Sequence, residues 1–120
     1  MSLTEADLSG LKAWIEGLPG VASGPHRFGG VEFKVQQLEF MHFHGQTHLD
    51  IRLSKNDQAE ALATGKAERH LYAPQAGWVT FRIKSRDDIE RAKELIQLAH
   101  KNASDVLESH QPQQGKSAKA

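Results

Sequence analysis

The stretch FMHFHGQTHLDIRLS, residues 40–54, constrains the fold most strongly, because apolar and polar residues alternate on both sides of one glycine. Successive side chains of a β-strand point to opposite faces, so alternation predicts strands with one buried and one polar face. We predict two strands here, over Leu38–His44 and His48–Leu53. The short connection around Gly45 makes them an antiparallel hairpin.

The length of the connecting loop sets the register of this hairpin. A two-residue loop, 45–46, would mix apolar and polar side chains on both faces of the sheet. A three-residue loop, 45–47, separates the two faces, and we therefore predict it. The predicted cross-strand pairs are His44 with His48, His42 with Asp50, and Phe40 with Arg52. The opposite face is then apolar and consists of Met41, Phe43, Leu49, Ile51 and Leu53.

The polar face of the hairpin gathers His42, His44, His48 and Asp50, and we expect it to be exposed, opposite the core. Residues two apart on a strand are about 7 Å apart, so imidazoles at that spacing can converge on one ion. Two histidines and a carboxylate are the donor set of an open zinc site or of a facial triad for Fe(II). The alternative is that Asp50 hydrogen-bonds to His42 and raises its pKa without any ion.

Two residues further along the chain are candidates for the same site. His70 reaches it if the segment that carries it lies beside the hairpin; otherwise it is a surface residue. Trp78 follows a glycine at the start of a predicted strand and either walls a pocket or packs in the core.

The remaining segments predict an α+β fold, a mostly antiparallel sheet of four to five strands with helices packed on one face. We interpret residues 17–30 as a glycine-rich loop with His26 at the surface. Residues 1–109 are predicted to form a single domain, and the low-complexity residues 110–120 a disordered tail. The other predicted elements are helices over Thr4–Glu16, Lys55–Thr64 and from Ser85 onward, strands over Val31–Gln36 and Trp78–Lys84, and an extended segment over Ala67–Ala73.

Composition narrows the classes of protein. The chain of 120 residues has no cysteine, which excludes disulfides and cysteine-based zinc sites. No apolar run approaches the about 20 residues of a membrane span. No signal peptide is visible either, so we expect a cytoplasmic protein without membrane contact.

Fifteen basic residues balance fifteen acidic residues, which argues against binding nucleic acid mainly through its phosphates. A local basic patch stays an alternative, with contributions from Lys34, Arg52, Arg69, Arg82 and Lys84.

Several motifs of the chain resemble those of the small luciferase domain family, and the resemblance extends over about residues 11–103. They are Arg27-Phe28-Gly29-Gly30, His42-x-His44 with Asp50, and His70 followed by Gly77-Trp78. The resemblance implies that His70, rather than His48, is the fourth member of the site, and we take Arg27 as a possible anion contact. A weaker similarity to MmcQ/YjbR-like domains implies the same α+β arrangement and, by analogy, DNA binding.

These observations favour a small-ligand- or metal-binding domain with a His/Asp site on the sheet and a divalent metal as the candidate cofactor. The site could also be catalytic, with histidine as metal ligand or general base. Its ligand would be a small molecule or an anion. Flavin-dependent luciferases resemble TIM barrels of about 250 residues, so this chain is not one of them. The alternative is a nucleic-acid- or protein-binding module without catalysis.

Overall fold

The computed structural model describes residues 2–26, 29–70 and 76–110. The strands, in chain order, are β1 Val21–Pro25, β2 Val31–Val35, β3 Leu38–His44, β4 His48–Arg52, β5 Glu68–Arg69 and β6 Trp78–Arg82. The helices are α1 Glu5–Glu16, α2 Lys55–Ala63 and α3 Asp88–His110. The strands form one antiparallel sheet in the order β1-β2-β3-β4-β6-β5, which confirms the predicted α+β class.

The helix starts follow from local capping. The Thr4 hydroxyl accepts a hydrogen bond from the Asp7 backbone N–H at 3.1 Å, and the Asp7 carboxylate accepts one from the Thr4 N–H at 3.0 Å. This capping box satisfies two backbone donors that the helix itself leaves unpaired. Ser54 caps α2 in the predicted way, through its hydroxyl and the Asp57 N–H. The third helix begins three residues later than predicted, because Ser85 lies in a turn that the Asp88 carboxylate closes.

The core lies between the sheet and the helices. Met41, Phe43, Leu49 and Ile51 are fully buried on the face that the register analysis predicts. The third helix packs across β2, β3 and β4 with its apolar stripe, and α1 packs beside it. Removing these side chains from water is the main stabilising contribution. Buried residues of the stripe are Ala92, Leu95, Ile96, Ala99 and Ala103.

The sheet has six strands, one more than the predicted maximum. The additional strand is β1, within the segment that we interpreted as a loop. Its sequence VASGP carries no alternation, and its residues are exposed or half-buried, so backbone pairing with β2 defines it. The predicted extended segment after α2 contains the two-residue strand β5, and its residues 71–73 lie outside the described residues. Residues 111–120 of the predicted tail also lie outside them.

Gly77 sets the start of β6. Its φ of 93° lies in the left-handed region, and a Cβ there would collide with the Leu53 carbonyl oxygen. The Leu53 N–H donates a hydrogen bond to the Gly77 carbonyl at 2.9 Å. This close backbone approach requires glycine and fixes the position of Trp78, the next residue.

Candidate functional site

The β3–β4 hairpin has the predicted register. His42 lies opposite Asp50 and His44 opposite His48, across the loop of residues 45–47. Gly45 takes a φ of 76° at the first loop position, where glycine carries no steric cost. The register therefore brings both candidate histidines and the candidate carboxylate to one face of the sheet.

A bulge in β3 alters the alternation that we predicted at the start of the strand. Phe33 pairs with Met41 and Lys34 with Glu39, so Phe40 is an additional residue in β3. Phe40 consequently turns into the core, where it is 1% exposed, instead of joining the polar face opposite Arg52. The same bulge brings Glu39 onto the histidine face.

Three ligand atoms lie at nearly equal distances on this face. His42 Nε2 lies 3.0 Å from His44 Nε2 and 3.0 Å from Asp50 Oδ2, and His44 Nε2 lies 3.1 Å from the same oxygen. We call these three atoms the ligand triangle. Three ligands bound to one zinc at 2.0–2.1 Å in tetrahedral geometry lie about 3.3 Å apart, and an octahedral ion brings them slightly closer. The arrangement could thus hold a metal ion.

Hydrogen bonds cannot form between all three pairs of atoms in the ligand triangle. Each atom is either a donor or an acceptor, and among three atoms in mutual contact at least two have the same role. One side therefore brings two donors or two acceptors within 3.1 Å of each other, which is unfavourable. A cation at the centre accepts a lone pair from all three atoms and removes this conflict.

The second oxygen of Asp50 orients the carboxylate. Thr80 donates its hydroxyl to Oδ1 at 2.8 Å, and His48 Nε2 lies 3.2 Å from the same atom. These contacts direct Oδ2 toward His42 and His44. His70 Nε2 approaches Oδ2 at 3.4 Å, so the structure brings His70 to the site. Among the described residues, two groups of three potential ligand residues lie close together on this face, and His70 belongs to neither. The two groups are His42 with His44 and Asp50, and His26 with Glu39 and His42.

The histidine face is buried at its centre, and our expectation of an exposed polar face is wrong there. His42 is 7% exposed and Asp50 3%. The His26 ring stacks on His42 with centroids 4.1 Å apart. The Trp78 ring lies 5.3 Å from His42 and 6.0 Å from His70, so it covers the other side. These rings shield the centre of the face from solvent, whereas the side chains of His44 and His48 are about one-third exposed.

Electrostatics make His42 and Asp50 a charged pair in the absence of a metal. Burial lowers the pKa of His42, but hydrogen bonds and charges from Asp50 and Glu39 outweigh it and raise the pKa to about 9. Burial raises the pKa of Asp50, yet the hydrogen bonds from His42 and Thr80 hold it well below its usual range. Burial, followed by the charge of His42, lowers the pKa of His44. The predicted hydrogen bond between Asp50 and His42, with its effect on pKa, is present.

Three contributors to the site were not predicted from the sequence. Glu39 Oε2 lies 2.6 Å from His42 Nδ1, but regular alternation would place it on the core face. His26 follows the unpredicted strand β1. Thr80 stands at a polar position of a predicted strand and could have been found from its pairing with Asp50. The predicted anion contact Arg27 lies outside the described residues.

The predicted basic patch is interrupted by acidic partners. Lys34 lies 3.1 Å from Glu32, and Arg82 lies 3.4 Å from Glu68. Among the described large apolar side chains, Leu98 is the exposed one, at 38%. Binding of nucleic acid or of another protein stays a prediction, as does the similarity to MmcQ/YjbR-like domains.

Sequence comparison assigns this chain to a family. No curated protein matches the chain. Within the described part of the chain, no helix has both the length and the apolar composition needed to cross a bilayer. The family model of the Luciferase domain matches residues 37–99, from the start of the hairpin to the middle of α3. The match covers more than half of the 120 residues and includes the whole ligand triangle, and the chain therefore belongs to the Luciferase domain family.

Proposed function

We propose that this domain binds a divalent transition metal, zinc or iron, through His42 Nε2, His44 Nε2 and Asp50 Oδ2. The observation that carries the proposal is the ligand triangle, in which three potential ligand atoms lie 3.0–3.1 Å apart and cannot all be paired by protons. Two imidazoles and one carboxylate suit both ions.

Glu39 supports this proposal from outside the triangle. Its carboxylate accepts a hydrogen bond from His42 Nδ1 at 2.6 Å, which leaves the Nε2 lone pair of His42 for a metal. Metal-binding histidines commonly donate their other ring N–H to a carboxylate, which fixes the tautomer and raises the basicity of the ligand.

His70 is the candidate for a fourth ligand. Its Nε2 lies 3.4 Å from Asp50 Oδ2, which places it next to the ligand triangle. His48 contacts the other oxygen of Asp50 instead, so we assign it to the orientation of the carboxylate. Open positions on the ion would bind water or a ligand, and a metal-bound water is a potential nucleophile near neutral pH.

Metal content of the untagged protein, measured after equilibration with Zn²⁺ and dialysis, tests the proposal. We expect one ion per chain in the wild type and loss of binding in His42→Asn and Asp50→Asn. His48→Ala should keep the ion, and His100→Ala is the matched control, because His100 bonds to the Pro19 carbonyl at 2.8 Å. Far-ultraviolet circular dichroism checks that each variant is folded. Folded wild-type protein without bound metal would overturn the proposal.

A further inference from the structure

A cavity opens beside the ligand triangle. Its volume is about 300 Å³, at the lower end for small-molecule pockets, and its walls include His44, His48, Asp50 and Arg82. A cavity of this volume has room for a small organic ligand. The cavity is therefore a space next to the triangle that a small ligand could occupy.

The exposure of the histidines shows which side of the triangle is open. The side chain of His42 is 8% exposed and lies under the His26 ring, so that side is closed. The side chains of His44 and His48 are 36% and 32% exposed and line the cavity. A ligand would therefore approach the metal past these two rings.

Arg82 places a positive charge at the same cavity. It lies opposite His48 on the neighbouring strand, with Nη1 3.4 Å from His48 Nδ1. Its Nε lies 3.4 Å from Glu68 Oε1, and both side chains are about half exposed. Such an exposed pair is weak and can exchange for a better partner. Arg69 also lines the cavity. The cavity wall therefore carries two arginines and one carboxylate outside the ligand triangle, Glu68.

Resting on the proposed metal site, we infer that this cavity binds a small carboxylate. One carboxylate oxygen takes an open position on the metal, and Arg82 pairs with the carboxylate group. The fork of N–H donors in arginine matches the two oxygens of a carboxylate, which gives the pairing both strength and orientation. Together, the divalent ion and the two arginines exceed the charge of the three carboxylates Asp50, Glu39 and Glu68. The loaded site therefore attracts an anion and disfavours a neutral or cationic ligand of equal size.

Titration of the cobalt-loaded protein with pyruvate tests the inference, with the uncharged amide pyruvamide as the control ligand. The visible absorption bands of Co²⁺ report any change in its coordination. We expect saturable spectral change with pyruvate and none with pyruvamide. Arg82→Gln should weaken pyruvate binding about tenfold or more, since it removes a charged hydrogen-bond partner. Arg86→Gln is the matched control, because Arg86 pairs with Asp7 instead.

The outcomes separate the two proposals. If Co²⁺ binds at one per chain but pyruvate leaves its spectrum unchanged, the carboxylate inference is wrong and the metal site stands. Equal pyruvate affinity in the wild type and Arg82→Gln also overturns the role of Arg82. If Co²⁺ does not bind to the folded protein, the metal site fails, and the carboxylate inference fails with it.

Discussion

Both nitrogen atoms of the His42 ring contact a carboxylate. Nδ1 contacts Glu39, and Nε2 contacts Asp50. Both carboxylates favour the imidazolium in the metal-free protein. A metal in the ligand triangle would replace the Nε2 proton, so the same two contacts serve a protonated ring and a metal-bound ring. His42 is therefore an imidazolium in the metal-free protein and would be a metal ligand when an ion occupies the ligand triangle.

Metal-free protein should lose stability between about pH 6.5, the ordinary histidine value, and the raised His42 pKa of about 9. Below the unfolded pKa, the imidazolium pairing contributes in full, and it is lost as the pH rises through the folded pKa. Asp50 stays ionised throughout this window, because its pKa is lowered. Thermal unfolding in EDTA should show a falling Tm over this range. His42→Asn should show a flatter profile, and equal slopes in the two proteins would contradict the assignment.

Glu39→Gln should weaken metal affinity by about 10- to 100-fold, the usual effect of removing a carboxylate behind a metal-bound histidine. The amide cannot accept the His42 Nδ1 proton with the same strength, so the ring becomes a poorer ligand. Competition with a chromophoric chelator measures the change. Glu32→Gln is the matched control, because Glu32 lies on the same face and pairs with Lys34. If Glu39→Gln and Glu32→Gln lose the same metal affinity, Glu39 acts through its negative charge and not through its hydrogen bond to His42.

At the scale of elements, the hairpin could be predicted from the sequence and the bulge could not. Clean separation of apolar and polar residues selects one register for β3 and β4, and the structure confirms it. The bulge at Phe40 depends on how β2 pairs with β3, which local alternation does not encode. Its result, the placement of Glu39 beside His42, was consequently not predictable.

Gly77→Ala should destabilise the protein by about 1–3 kcal/mol through its left-handed backbone, with a further loss from the collision with Leu53. The displaced backbone would move Trp78 away from the His42 ring. Urea unfolding measures the loss, and tryptophan fluorescence reports the movement. Gly10→Ala is the matched control, since Gly10 lies in α1 with open space around it, and alanine there should stabilise the helix by up to about 1 kcal/mol. An unchanged unfolding midpoint in Gly77→Ala would contradict the close-approach argument.

At the scale of the whole molecule, the site combines strands that are distant in sequence. The hairpin supplies the ligand triangle, while β6 supplies Thr80 and Trp78. His26 arrives from the end of β1, an edge strand without alternation, and its stacking on His42 could not be predicted. His70 was predicted as a member only if its segment lay beside the hairpin, but β6 separates β5 from β4 in the sheet, and His70 reaches Asp50 nevertheless. We expect residues 1–109 to fold as one unit around this sheet.

An anomalous difference map from a crystal soaked in Zn²⁺ would locate a bound ion relative to the ligand triangle. We expect one strong peak with zinc bond lengths of about 2.0–2.2 Å to His42 Nε2, His44 Nε2 and Asp50 Oδ2. A map without a peak in the ligand triangle, or with its strongest peak at another histidine such as His100, would contradict the proposed metal site.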